Sequence, residues 1–352
     1  MQISPEKTIK VNASKQYDVI IGRDLLKRSG EFIEKVIKPC KIAIITDDTV
    51  DKLYADVVEK SLEEKGFSVI KYVFAHGEES KNLKTYGEIL NFLAENQLTR
   101  TDALVALGGG VTGDMAGFSA STYLRGIKYV QIPTTLLAQI DSSVGGKTAI
   151  DLPFGKNLVG AFCQPELVIC DVNTISTLPK EIFICGMGET AKYALLDKKI
   201  FGLLSGEYDI LDLVYLCVDY KRKVVEEDEF EGGLRKLLNL GHTPAHGIES
   251  LSNYLLPHGN AVAMGLDIIL KNSYKHGYID ASEYEKALNI VVKCVGEIDC
   301  PYDIKDICSA SLNDKKRSGE SITLVMVYGI GDCRLVKVKV SELWGYLSDC
   351  KC

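Results

Sequence analysis

Three of the five histidines in this 352-residue chain, His242, His246 and His258, lie between positions 242 and 258. Neutral imidazole is the commonest protein ligand for zinc, and a catalytic zinc takes three protein ligands and keeps an open position. A chain poor in histidine that gathers three of them in one stretch is therefore expected to build a metal site there. His242 and His246 are four apart, a spacing that places two side chains on one helical face. Thr243, however, is a good helix N-cap and Pro244 a good first helical residue. The expected helix accordingly leaves His242 just outside and carries His246 in its first turn. A carboxylate would complete a two-histidine site. Glu189 opens a helical stretch after Gly186-Met187-Gly188 and is one candidate; Glu226, Glu227 and Asp228 are others.

A second constellation lies in the first half. Gly108-Gly109-Gly110-Val111-Thr112-Gly113 satisfies G-x-G-x-x-G, follows the apolar run Ala103–Leu107 and opens a helical stretch. Glycines at such a turn let the backbone approach a pyrophosphate, which the helix N-terminus then stabilises. No acid stands about twenty residues downstream to hold the ribose hydroxyls; Asp47, at the end of an earlier strand, is the candidate in its place. Gly145-Gly146-Lys147-Thr148 imitates a P-loop, but the glycine required six positions before the lysine is Asp141, which excludes that site. Lys147 and Lys156 nevertheless put two cations beside glycines, an arrangement suited to phosphate or carboxylate.

Those residues need elements to hold them. Up to about residue 178, apolar strands alternate with amphipathic helices: two strands in Thr8–Ile21, then Lys41–Asp47, Ser68–Phe74, Ala103–Leu107 and Ile127–Ile132, with helices at Leu53–Lys65 and Leu83–Asn96. Ile127–Ile132 closes the series. This pattern predicts a parallel sheet covered on both faces. After Leu178-Pro179 helical periodicity dominates, in Glu181–Asp197, Leu211–Glu227, Ala245–Asn253, Ala261–His276 and Ala281–Val295, with one late hairpin formed by Ile322–Val327 and Arg334–Val340. The expected fold is an α/β Rossmann-like nucleotide-binding domain, residues 1–178, followed by a mainly α-helical metal- and substrate-binding domain, residues 179–352.

Composition limits the partners. Apolar residues make up 46% and charged residues 25% of a chain with net charge −7, which disfavours nucleic acid. No apolar run reaches membrane-spanning length and Met1–Lys7 does not resemble a signal peptide, so the expected location is cytoplasmic, with no membrane partner. The eleven cysteines are odd in number and scattered, with no C-x-x-C, and are expected to be reduced thiols, Cys163 and Cys170 among them as small core residues.

Taken together, the chain resembles the 3-dehydroquinate synthase family of sugar-phosphate cyclases from about Lys41 to Cys333. The likeness rests on Gly108–Asp114, Arg125-Gly126, Pro133–Thr148, Gly155-Lys156-Asn157, Thr177-Leu178-Pro179, Glu189 with Lys192, Arg235 with Leu238-Asn239, Gly241-His242, His258-Gly259 and Asp314-Lys315-Lys316, all in one order. The resemblance implies one divalent metal per subunit, zinc or cobalt, held by Glu189, His242 and His258, with His246 outside the ligand set. It implies NAD along His76, Gly77, Glu78 and Lys81, along Gly109, Gly110, Val111, Thr112, Gly113 and Asp114, at Thr134 and Thr135, at Thr174, Ile175, Ser176 and Thr177, and at Lys147 and Lys156. Asp47 or Asp48 would meet the adenosine ribose.

The implied substrate is a seven-carbon keto-deoxy sugar acid phosphate and the product 3-dehydroquinate, on the route to chorismate and aromatic amino acids. In the family's reaction, oxidation of a hydroxyl to a ketone acidifies the neighbouring C–H, phosphate is eliminated, the hydride returns and the ring closes. Lys147, Lys192, Lys221, Arg235, Asn239 and Asp141 would surround the substrate. Arg125, supplied by a partner subunit of a homodimer, and Lys315 or Lys316 would meet the phosphate, and His246 would relay a proton or bind that phosphate. Two departures from the family pattern stand at Pro244-Ala245, usually Phe-Gly, and at Asn260, usually Glu. The alternatives are a sister cyclase making an inosose or valiolone, against which the basic Arg235 and Lys221 count, and a metal-dependent alcohol or polyol dehydrogenase, whose usual Gly-Thr-Gly-Ser run is replaced here by Leu136-Leu137-Ala138-Gln139.

Overall fold

The computed structural model describes residues 6–312 and 320–348. Two compact units emerge: one runs to Leu178 and includes Lys221–Glu229, the other comprises Pro179–Tyr220 and the chain from Phe230. The helix Ile210–Glu227 thus contributes its last residues, from Lys221, to the first unit.

In the first unit the strands are β1 (Lys7–Asn12), β2 (Gln16–Gly22), β3 (Lys41–Asp47), β4 (Ser68–Phe74), β5 (Ala103–Gly108), β6 (Lys128–Pro133), β7 (Lys147–Leu152), β8 (Gly155–Phe162) and β9 (Leu167–Asp171). Seven form one sheet in the order β1-β2-β9-β6-β5-β3-β4. All neighbours are parallel except the β1–β2 pair at one edge. Side chains alternate across a strand, and the inner strands are apolar on both faces. Ile42, Ile44, Val105, Leu107 and Ile132 meet Phe32, Val58 and Leu62 on one side, while Ala43, Ile45, Leu104 and Ala106 meet Ile89, Leu93, Met115 and Phe118 on the other. That double burial explains why these strands read as continuous apolar runs.

From β3 the chain steps outward to β4, then returns to the opposite side of β3 to form β5. Open α/β sheets bind ligands outside the carboxyl ends of their strands at such a reversal. Here the reversal lies beyond Asp47 and Gly108, the last residues of β3 and β5.

The strand series does not close at Ile132, as the sequence pattern suggested. The antiparallel hairpin β7–β8 and the sheet strand β9 follow. β7 and β8 are only partly buried, and Lys147, Gly155, Lys156 and Gly160 interrupt their apolar residues, so they lack the apolar run that marked the other strands. Gly145-Gly146-Lys147-Thr148 runs into β7, a strand and not a helix, so no P-loop forms.

The second unit is built on helices Lys180–Leu196, Lys198–Ser205, His242–Leu251, His258–Lys275, Ala281–Val295 and Ile304–Ser311, with the antiparallel hairpin β10 (Ser321–Gly329) and β11 (Asp332–Lys339); the periodicity did not reveal Lys198–Ser205 or Ile304–Ser311. Helices Lys180–Leu196 and His258–Lys275 cross at Gly188 and Gly259. A Cβ on Gly188 would lie 2.1 Å from the Gly259 carbonyl oxygen, and one on Gly259 would lie 1.8 Å from that of Cys185. The backbones touch there because neither residue has a side chain. The nine cysteines among the described residues are all free thiols; Cys170 is fully buried in β9, whereas Cys163 is only half-buried. No described helix is long and apolar enough to cross a membrane.

Candidate active site

The glycine crossing places Glu189 and His258 next to each other, since each is the chain neighbour of a crossing glycine. Glu189 sits in helix Lys180–Leu196 and His258 is the first residue of its own helix. His242 is likewise the first residue of helix His242–Leu251, capped by Gly241 in the left-handed conformation at φ +78°. This corrects the expected start at Thr243-Pro244. Gly241 reaches a backbone conformation that L side chains rarely adopt, so the chain turns into the helix two residues early. Pro244 remains harmless because it falls in the first turn, where backbone N–H groups have no intrahelical partner.

Glu189, His242 and His258 bring one carboxylate oxygen and two imidazole nitrogens within 4.8 Å of one another. His242 Nε2 lies 3.3 Å and His258 Nε2 3.0 Å from Glu189 Oε1. Tetrahedral bonds of 2.0–2.1 Å space ligand atoms about 3.3 Å apart, so this nitrogen–oxygen donor set fits a small divalent ion such as zinc. The other carboxylate oxygen, Oε2, is 2.5 Å from the Lys192 ammonium, which leaves Oε1 to face the imidazoles. Each ring is also oriented from behind. His242 Nδ1 donates to the Leu240 carbonyl at 3.1 Å, and His258 Nδ1 lies 3.3 Å from Glu249 Oε1. A carbonyl can only accept, so His242 keeps its proton on Nδ1 and turns a lone pair toward Glu189. His246 stacks edge-on against His242 at 5.7 Å and is not in the cluster.

Protonation follows from these contacts. Burial opposes the Glu189 carboxylate, but Lys192 and His242 outweigh it and hold the group well below the usual range. Burial also dominates at His242 and brings it down to about 4. At His258 the opposing burial is overcome by hydrogen bonds to Glu189 and Glu249, which carry it up to about 10.

In the first unit, the sequence-selected nucleotide residues lie at the carboxyl ends of parallel strands: Asp47 ends β3 and Asp48 follows it, with Gly77, Glu78 and Lys81 after β4, Gly109 to Asp114 after β5, Thr134 and Thr135 after β6, and Thr174 to Thr177 after β9. Gly109 is the N-cap of helix Gly110–Thr122, which carries no acid in its first turn. The end of that helix is therefore favourable to an anion. Asp47 Oδ1 accepts from the backbone N–H groups of Thr49 and Val50, and Asp48 Oδ1 is 2.7 Å from His76 Nδ1. Lys81 is buried and reaches Asp114 at 2.7 Å and Asn157 at 2.6 Å. The hydroxyl of Thr174 is tied to the Asp171 carbonyl and Gln139, whereas Ser176 is exposed and bonded to the Asn173 carbonyl; Ile175 is buried.

The remaining sequence-selected residues lie on several elements of the two units. Lys221 is buried and hydrogen-bonds the carbonyl of Asp141 at 2.6 Å and pairs with its carboxylate. Asp141 lies in a π-helical turn, Ala138–Ser142, a geometry that recurs at functional sites. Arg235 is 1% exposed, and Asn239 donates to Glu231 at 2.7 Å. Lys147 and Lys156 sit on β7 and β8. Arg125 is exposed, with φ +69°. Glu226 bonds to Asn12 in the first unit. Lys315 and Lys316 lie outside the described residues. Sequence reasoning missed Glu249 and Glu231. Glu249 stands seven after His242, two turns along the same helical face, and that spacing was the available signal.

Comparison with known proteins completes the picture. The model of the 3-dehydroquinate synthase N-terminal domain matches residues 71–185 and that of the C-terminal domain residues 186–317. A 3-dehydroquinate synthase of Streptococcus suis (strain 05ZYH33) is 42% identical over 342 residues, 94% of this chain and 96% of that protein. The chain belongs to the 3-dehydroquinate synthase family. Among solved structures, a 2-deoxy-scyllo-inosose synthase complexed with carbaglucose-6-phosphate, NAD+ and Co2+ covers 98% of this chain and 100% of its own, at TM-score 0.86 and 24% identity. A 2-epi-5-epi-valiolone synthase from Streptomyces hygroscopicus subsp. jinggangensis 5008, with NAD+ and Zn2+ bound, covers 99% and 98% at TM-score 0.85 and 24% identity. Both have the 3-dehydroquinate synthase fold of this chain.

One consequence of the protonation pattern can be measured directly. A metal-binding imidazole must be neutral. With Glu189 already ionised and His242 already neutral near pH 7, His258 alone holds a proton that the ion must displace. Zinc affinity should therefore rise about tenfold per pH unit between about pH 6 and 8. Calorimetry in buffers of different ionisation enthalpy should return one proton released per ion; none released would contradict it.

Proposed function

We propose that this protein converts 3-deoxy-D-arabino-heptulosonate 7-phosphate to 3-dehydroquinate and phosphate, as an NAD- and metal-dependent, phosphate-eliminating lyase of the shikimate pathway to chorismate. The reading is carried by the near full-length 42% identity to a 3-dehydroquinate synthase, and the convergence of Glu189, His242 and His258 fits the metal such a reaction uses. Residues 1–178 would hold NAD, and residues 179–352 the metal. The ion would be zinc or cobalt, one per subunit of a cytoplasmic homodimer.

When bound, the ion would act as a Lewis acid on the substrate oxygens, and NAD would accept and return a hydride. The chain's own residues have distinct tasks. Glu189, through Oε1, and His242 and His258, each through Nε2, would hold the ion. Lys192 neutralises Oε2 and so fixes which oxygen faces the ion. Lys147, Lys192, Lys221 and Arg235 are the cations for the substrate carboxylate and departing phosphate, a role that charge-assisted hydrogen bonds in a dry site perform well. Asp141 keeps Lys221 pinned. Arg125 would meet the phosphate from the partner subunit, joined by Lys315 or Lys316, and His246, close to His242 without being a ligand, would relay a proton or bind that phosphate.

The decisive assay follows phosphate release from the seven-carbon substrate with NAD in substoichiometric amount while NADH absorbance is recorded. The proposal expects many turnovers per NAD, no accumulating NADH and loss of activity on chelation. Turnover of glucose 6-phosphate or sedoheptulose 7-phosphate alone would instead indicate a sister cyclase. NADH formed in step with substrate loss would indicate a dehydrogenase.

A further inference from the structure

The two histidines of the cluster are held from behind by unlike groups. His242 gives its Nδ1 proton to a neutral peptide carbonyl, Leu240. His258 Nδ1 instead faces Glu249, a glutamate only 3% exposed on helix His242–Leu251. Burying a carboxylate is costly unless a charged or hydrogen-bonding partner compensates it, so its place behind a histidine calls for a reason. Charge supplies one. The Lys192 ammonium beside Glu189 Oε2 cancels the charge of that carboxylate, and two neutral imidazoles add none. Glu249 adds a second carboxylate beside a divalent cation held by these three residues.

We propose that Glu249 is a positioning residue of the metal centre: it accepts the Nδ1 proton of His258, fixes the tautomer whose Nε2 faces Glu189 Oε1, strengthens that nitrogen as a donor and adds a second carboxylate beside the site. The placement follows from helix geometry. Glu249 and His242 are seven residues apart, so one helical face presents a ligand at its first residue and the carboxylate behind the other ligand two turns later. The inference rests on the metal-site reading above and adds to it a residue that would not touch the ion.

The test uses the full-length protein stripped of metal, with zinc and cobalt affinities measured by competition against a chelator for the unaltered protein, Glu249→Gln and Glu249→Ala. Loss of such a carboxylate behind a metal-bound histidine typically costs about 10–100-fold in affinity, and that range is expected for Glu249→Ala. Glu249→Gln keeps an oxygen that can accept from Nδ1 but loses the charge, so its affinity should fall between the two, with displaced visible absorption bands of bound cobalt. Melting of the metal-free proteins separates this from a purely structural role: lower stability with affinity unchanged to within about twofold, against the range above, would overturn the proposal. If Glu249→Ala fails to fold, Glu249→Gln decides alone. Should the unaltered protein bind no ion, the metal-site reading falls together with this inference; tight binding unaffected by either substitution removes this inference alone.

Discussion

His242→Ala is expected to abolish stoichiometric metal binding and to lower kcat/KM at least about a thousandfold, since a Lewis-acid metal supplies several kcal/mol of transition-state stabilisation and each 1.36 kcal/mol is tenfold. His242 contributes one of only three converging donor atoms among the described residues. With it gone, Glu189 Oε1 and His258 Nε2 remain, and a pair of ligands holds zinc weakly at micromolar concentrations. The substitution is mild for the fold: the residue opens a helix, where alanine is acceptable, and its Nδ1 bond goes to the adjacent turn at Leu240. Metal content of the dialysed protein, its circular dichroism and steady-state kinetics measure the outcome together. His246→Ala is the informative companion. It stands against the His242 ring but outside the cluster, so it should keep its metal and lose only turnover. Full metal occupancy in His242→Ala with activity within about tenfold of the parent would contradict the assignment of the ligands.

The second large effect is expected for Gly259→Ala. Two terms oppose each other. Alanine is favoured over glycine in helices, by up to about 1 kcal/mol in an interior, but Gly259 is the second residue of its helix, so that gain is small. Here, however, the new Cβ would stand 1.8 Å from the Cys185 carbonyl oxygen and 2.7 Å from Cys185 Cα, both backbone atoms of helix Lys180–Leu196. A tolerable carbon–oxygen contact is about 3.3 Å, and backbone inside a helix cannot turn away as a flexible side chain can. The helices would have to separate, and overpacking of this kind costs about 3 kcal/mol. The clash therefore wins. For a unit of this size, melting should fall by about 6–12 °C. Because Glu189 and His258 adjoin the two crossing glycines, metal affinity should fall as well. Calorimetric melting with and without zinc reads both effects. An unchanged melting temperature would mean that the crossing is looser than the backbone contact implies.

Much of this protein was legible in its residues. The apolar runs of β3 and β5 marked strands buried on both faces, and the glycine loop after β5 marked a turn into a helix, because both patterns are local and repeat at the period of the backbone that carries them. The hairpin β7–β8 escaped for the same reason: its glycines and lysines leave no periodic apolar face, although Lys147 and Lys156 sit on it. Thr243-Pro244 carried good capping chemistry, yet the helix starts at His242, since Gly241 could adopt the left-handed turn that brought it forward.

By itself, the sequence determined that a histidine-rich stretch and a nucleotide-type glycine loop belong to one chain, and through its motif order it determined the family. Residue types and spacing left open which histidines and which of four carboxylates meet, and only the family resemblance named Glu189, His242 and His258, because these residues lie on separate helices and no periodicity relates them. The tertiary structure decided that. The backbone contact at Gly188 and Gly259 sets Glu189 beside His258, the Gly241 turn aims His242 at the same oxygen, and the buried Glu249 comes to rest behind His258. Contacts of this kind depend on how closely two helices approach, which is fixed by the absence of side chains at their crossing and by packing around it.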